Sequence, residues 1–157
     1  MCVVMTAAMA AAIVFSDPAA TAALTPPVEA PASVAAEPLF ADIVSRSQAL
    51  KLTVDGWIAA EAGTDADLTA RPEFDAFKTE ALTLADLDMQ GHVTLRDRGM
   101  DGDLKCILRG LSEDMPRRLE AVGAATSTPE RASALAELSH LFEDNVEVIL
   151  APPAPEV

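Results

Sequence analysis

Asp86-Leu87-Asp88-Met89-Gln90-Gly91-His92-Val93-Thr94-Leu95-Arg96-Asp97-Arg98-Gly99-Met100-Asp101-Gly102-Asp103 is the stretch on which the fold turns. If it continues the helix that precedes it, the chain builds a plain four-helix bundle. If it breaks, the chain builds a helix–loop–helix. Gly91, followed by the β-branched pair Val93-Thr94, weakens a helix at this point. Gly99 and Gly102 oppose a long helix immediately after it. The helix–loop–helix predicts a turn at Gln90-Gly91, and the plain bundle predicts helix through Gly91.

On both sides of this stretch apolar residues recur at helical spacing. Upstream, Phe74, Phe77, Ala81 and Leu84 share one face of a helix that follows Pro72. Before that, Phe40, Ile43, Val44 and Leu50 mark a first helix over 38–50, with Pro38 in the first turn where its missing N–H costs nothing. A loop through Gly63 to Asp67 joins the two. Downstream, Asp101 or Asp103 could cap a third helix with the stripe Leu104, Leu108, Leu111, Met115, Leu119 and Val122. Pro116 lies inside that stripe and predicts a kink or a restart, with Ser112 or Asp114 available as a cap. The fourth helix has the clearest start in the chain. Ser127-Thr128-Pro129-Glu130 combines a capping-box pair with Pro in the first turn, ahead of a buried face of Leu135, Leu138, Leu141, Phe142, Val146 and Ile149. Nothing alternates as a strand of useful length. The expected class is all-α with about four helices, a folded unit over 38–150 and a helical hairpin over 103–149.

The segment from Asp86 to Asp97 also resembles a divergent EF-hand loop, a family in which oxygen ligands recur at loop positions one, three, five, seven, nine and twelve around a glycine at six. Asp86 and Asp88 match positions one and three, Gly91 matches six, and His92 at seven would contribute only its carbonyl. Val93 matches the apolar eighth position and Thr94 suits the ninth. Gln90 stands where Asp, Asn or Ser is usual, and Asp97 stands where a bidentate Glu is usual. Both departures weaken calcium binding, and the shorter arm of Asp97 favours Mg²⁺. Lys51 to Ala62 aligns with this loop 35 residues upstream, matching Leu52, Gly56 and Ile58 to Leu87, Gly91 and Val93. It carries Lys51, Thr53 and Ala62 at ligand positions and could be only a structural partner. The resemblance covers residues 39–100. It implies at most one weak Ca²⁺ or Mg²⁺ site at Asp86, Asp88, Gln90, His92, Thr94 and Asp97, and a short β-bridge between Ile58 and Val93.

Charge divides the chain. Of 157 residues, 25 are acidic and 11 basic, a formal net charge of −14, yet residues 1–36 hold only Asp17 and Glu29. Such an acidic surface opposes binding to nucleic-acid backbones and to anionic membranes. The apolar run Val3 to Phe15 is too short to span a bilayer and has the length of a signal-peptide core. Ala20-Thr21-Ala22 suits cleavage before Ala23, although no Lys or Arg precedes Arg46. We expect a signal peptide or short anchor over 1–22, an Ala/Pro-rich linker over 23–37, a Pro-rich tail over 151–157, and a periplasmic or secreted location.

Candidate chemistry elsewhere is sparse. After signal cleavage Cys106 would stand alone, so it can form no internal disulfide. Its simplest reading is a partly buried, inert thiol. His140 with Met89, Met100 or Met115 could in principle ligate a haem, but a lone His beside an apolar stripe is more often a boundary residue. No Ser-His-Asp signature, phosphate loop or zinc-protease helix is present in the sequence. The sequence thus points to a non-enzymatic binding protein with a protein partner. It either carries a weak EF-hand-like cation site or is an ion-free periplasmic four-helix bundle serving interaction or scaffolding.

Overall fold

A computed structural model describes residues 33–60, 68–100 and 102–152. The expected signal segment, most of the linker, the Gly63–Asp67 loop, the candidate cap Asp101 and most of the tail lie outside the described residues. Four helices are present: α1 (Pro38–Ala59), α2 (Pro72–Asp97), α3 (Leu104–Ala124) and α4 (Thr128–Leu150), with a short 3-10 turn at Leu68–Ala70 ahead of α2. The described residues contain no strand, and the all-α class stands.

Consecutive helices pack side by side, and α4 closes back on α1. Helices α2 and α4 thus face each other across the diagonal of a four-helix bundle. All four buried stripes step by threes and fours: Phe40, Ile43, Ser47, Leu50 and Val54 on α1; Phe74, Phe77, Ala81, Leu84, Asp88, Gly91 and Leu95 on α2; Leu104, Leu108, Leu111, Met115, Leu119 and Val122 on α3; Arg131, Leu135, Leu138, Phe142, Asn145 and Ile149 on α4. This is the heptad-like seam that lets helices pack at small crossing angles. At one end Trp57, Phe74, Phe77 and Phe142 form an aromatic cluster, with Trp57 and Phe77 edge to face at 4.8 Å and Phe77 and Phe142 at 6.0 Å.

The predicted turn at Gln90-Gly91 is absent, because α2 runs unbroken through it. The glycine is a packing device. A Cβ built on Gly91 would lie 3.1 Å from Leu108 Cδ1 and 3.3 Å from Phe40 Cε1. Only a residue without a side chain lets α1 and α3 approach α2 this closely. The helix ends at Gly99 instead, whose φ of 65° supplies the left-handed stop. Its N–H bonds the Arg96 carbonyl at 2.9 Å and the Met100 N–H bonds the Leu95 carbonyl at 3.1 Å, the hydrogen-bond pair of a Schellman motif.

Other boundaries move for similar reasons. Helix α1 runs on to Ala59 rather than ending at Leu50, extending its buried stripe to Val54. Helix α3 spans Pro116 as one element and does not restart there. Asp103 occupies its N-cap position without a side-chain hydrogen bond. The capping box of α4 forms as expected: Ser127 Oγ accepts from the Glu130 N–H while Glu130 Oε2 accepts from the Ser127 N–H at 3.1 Å. On α4 the buried stripe passes through Asn145, and Val146 is half-buried. The fold also reaches into the expected linker. Val34 is buried, and Glu37 takes a paired hydrogen bond from Arg98 at 2.8 and 2.7 Å.

Candidate functional site

The six residues expected to ring a cation do not converge. All lie on α2, spread over residues 86–97, or about 16 Å of helix axis. At about 100° per residue, Asp86, Gln90, Thr94 and Asp97 fall on one side of the helix and Asp88 and His92 on the other. Burial follows the same division: Asp86, Gln90 and Asp97 are exposed, Thr94 and His92 are half-buried, and Asp88 is fully buried. A calcium ion needs six to eight oxygens within about 2.6 Å, which a straight helix cannot supply. Among the described residues no group of three or more His, Cys, Asp or Glu side chains could hold a metal ion. Ile58 and Val93 lie within helices, so the expected β-bridge is absent too.

Three of these side chains have partners elsewhere. Asp97 accepts two hydrogen bonds from its neighbour Arg96, at 3.0 and 2.8 Å. The His92 ring lies 2.6 Å through Nδ1 from the Lys105 carbonyl. A carbonyl can only accept, so Nδ1 carries the proton and His92 ties α2 to the start of α3. Asp88 continues the Ala81–Leu84 stripe into the centre of the bundle, where it accepts a hydrogen bond from Asn145 Nδ2 at 2.8 Å. Both residues are 0% exposed. Asp88 Oδ1 and Asn145 Oδ1 are buried without a hydrogen-bond partner. Burial pushes the Asp88 carboxyl up to about 8, with the Asn145 hydrogen bond pulling the other way.

A second polar cluster joins α1 to α4. Ser139 Oγ donates to Asp55 Oδ1 at 2.5 Å. Lys51 Nζ donates to Asp55 Oδ2 at 2.9 Å and to Ser139 Oγ at 3.2 Å. The Ser139 hydroxyl and then the Lys51 ammonium hold the Asp55 carboxyl below the usual carboxylate range. A Ser beside a Lys invites comparison with nucleophilic dyads. Here the serine proton points at a carboxylate and the lysine is held in an ion pair, so the cluster is built as a clasp between helices.

Surface charges serve the same end. Arg46 bridges Asp42 on its own helix and Glu80 on α2. Arg118 of α3 pairs with Asp114 at 3.2 Å and with Glu137 of α4. The haem ligands considered above are apart: the His140 side chain is 77% exposed beside Glu143, while Met115 is fully buried. Cys106 is exposed on α3 rather than partly buried.

The pair that sequence reasoning missed is Asp88–Asn145. Its signal was present in the spacing, since both residues fall on three–four stripes. It was masked by polarity, because a periodicity scan counts only apolar residues. Comparison of the chain with protein-family models, with curated proteins and with solved structures finds no match.

Proposed function

We propose that this chain is an exported, non-enzymatic four-helix bundle that acts as an interaction or scaffold module. The observation that favours this reading over the cation-binding one is the unbroken α2. Among the residues that resemble an ion loop, Gly91 serves packing, Asp88 pairs with Asn145 and His92 ties α2 to α3. The excess of acidic over basic residues supports a partner with a basic surface, whose approach such a field would speed. No described helix is long and apolar enough to cross a membrane. Export rests on the Val3–Phe15 run and the Ala20-Thr21-Ala22 site.

A photo-crosslinking amino acid at Leu52, Leu82 and Leu150, three exposed large apolar positions, tests the reading in intact cells. A discrete protein adduct from at least one position, weakened by added salt, is expected. If all three sites yield no adduct while the protein is folded and exported, the interaction reading fails. A calcium-dependent shift of the melting temperature would instead restore the cation site.

A further inference from the structure

The centre of the bundle holds an arrangement that hydrophobic packing does not require. Asp88 and Asn145 meet across the α2–α4 diagonal, fully buried, joined by one hydrogen bond from Asn145 Nδ2 to Asp88 Oδ2. The remaining oxygen of each side chain is unpartnered. A carboxylate and an amide oxygen left over in this way are two acceptors with no donor. One proton supplies what is missing, because a carboxylic acid facing a carboxamide can make two hydrogen bonds in a ring: N–H to carboxyl oxygen, and carboxyl O–H to amide oxygen.

We propose that Asp88 and Asn145 form a proton-operated latch between α2 and α4. With the proton on Asp88 Oδ1, that oxygen donates to Asn145 Oδ1, the cyclic pair closes and both orphaned oxygens are satisfied. When the proton leaves to solvent, the second bond is lost and a carboxylate charge remains in an apolar core with a single donor, which loosens the diagonal contact.

No other charge offsets that carboxylate. On α1, Arg46 is engaged by Asp42 and Glu80, and Lys51 by Asp55. On α2, His92 one turn away donates to the Lys105 carbonyl, and Asp86 is exposed. On α3, Lys105 donates to the Met100 carbonyl and Arg109 pairs with Glu113. On α4, His140, Glu143 and Asp144 are exposed. The carboxyl's rise to about 8 agrees with this isolation and puts the changeover near neutral pH. The latch is closed in mildly acidic surroundings and opens as the pH climbs past neutral.

The test uses the full chain, labelled with ¹³C, titrated from acid to mildly alkaline pH by NMR. The Asp88 carboxyl carbon is expected to titrate well above the exposed Asp86 and Asp97, which serve as internal references. The Asn145 Cγ signal should move with the same midpoint, because its oxygen gains or loses a donor. The neutral variant Asp88→Asn can keep a cyclic amide–amide pair. Relative to it, the wild-type folding equilibrium constant should fall roughly a thousandfold between about pH 4 and pH 8. Three results would overturn the latch: Asp88 titrating with the exposed carboxylates, an Asn145 Cγ signal indifferent to pH, or an Asp88 midpoint driven down by millimolar CaCl₂, which would mark a cation ligand.

Discussion

Gly91→Ala should destabilise the protein, although alanine is the best helix former and glycine among the worst. The substitution lies inside α2, with glycine φ values in the left-handed region confined to Gly99 and Gly102 among the described residues. Backbone strain therefore plays no part. Propensity alone favours Ala by about 1 kcal/mol. Against it stands crowding: the new methyl would sit 3.1 Å from Leu108 Cδ1, 3.3 Å from Phe40 Cε1 and 3.6 Å from Ile43 Cδ1. Favourable carbon–carbon contacts lie at about 3.5–4.0 Å, so two neighbours must retreat by a few tenths of an ångström. Phe40, Ile43 and Leu108 are all 0% exposed and have no solvent to retreat into. Overpacking of this kind costs about 1–3 kcal/mol, which leaves a net loss of about 1 kcal/mol. Gly110→Ala on α3 is the control, since nothing lies within 4 Å of a Cβ there. It should gain about 0.5–1 kcal/mol from the same propensity term. Urea unfolding followed by Trp57 fluorescence and far-ultraviolet circular dichroism measures both, provided the slope m is unchanged. If Gly91→Ala stabilises as much as Gly110→Ala, the close approach of α1 and α3 to α2 is not the reason for the glycine.

Three further outcomes follow from the same geometry. Ser127→Ala removes one half of the capping box and should cost about 1 kcal/mol in urea unfolding, with Thr128→Ala close to neutral. Ser139→Ala and Asp55→Ala should each destabilise by about 1 kcal/mol, and the double variant should cost less than the sum, because they share one hydrogen bond; strict additivity in the cycle would disprove the clasp. Stability plotted against pH should peak on the mildly acidic side. Glu37, Asp55, Asp114 and Glu130 have carboxyls held below their ordinary values by hydrogen bonds, with nearby cations adding to the effect in the first three, so what they contribute is present above the unfolded values and lost as the pH falls through the folded ones. Asp88 has the opposite sign: its folded value lies above its unfolded one, so its neutral form favours folding and that advantage fades as the pH rises from about 4 towards 8. A stability maximum at pH 8 or above would contradict this assignment.

Much of the bundle was legible without coordinates. The Phe74–Phe77–Ala81–Leu84 face, the α3 stripe and the Ser127–Glu130 box appear in the structure as read from the chain. Each is a local signal, set by side-chain period or by one hydrogen-bonding turn. The candidate loop is a stretch of helix, and the reason lies at Gly91, where local propensity and tertiary packing disagree. A glycine in mid-helix reads as a break because its cost is local and its benefit is not; only the approach of Phe40 and Leu108 shows why the cost is met. The six candidate ligands stay spread along that helix, since turning them inward takes a loop.

By itself, then, the sequence determined the all-α class, the helix faces and the start of α4, because apolar period and capping chemistry act within a few residues. Tertiary structure decided what Gly91, Asp88 and Asn145 are for. Their roles depend on distances between helices: a methyl group's width between α2 and its neighbours, and one 2.8 Å hydrogen bond between residues 57 positions apart. Spacing places Asp88 on the stripe of α2, but the chemistry of an aspartate on a helix surface differs from that of one at the centre of a bundle. They differ in what surrounds them, and only the assembled fold supplies the surroundings.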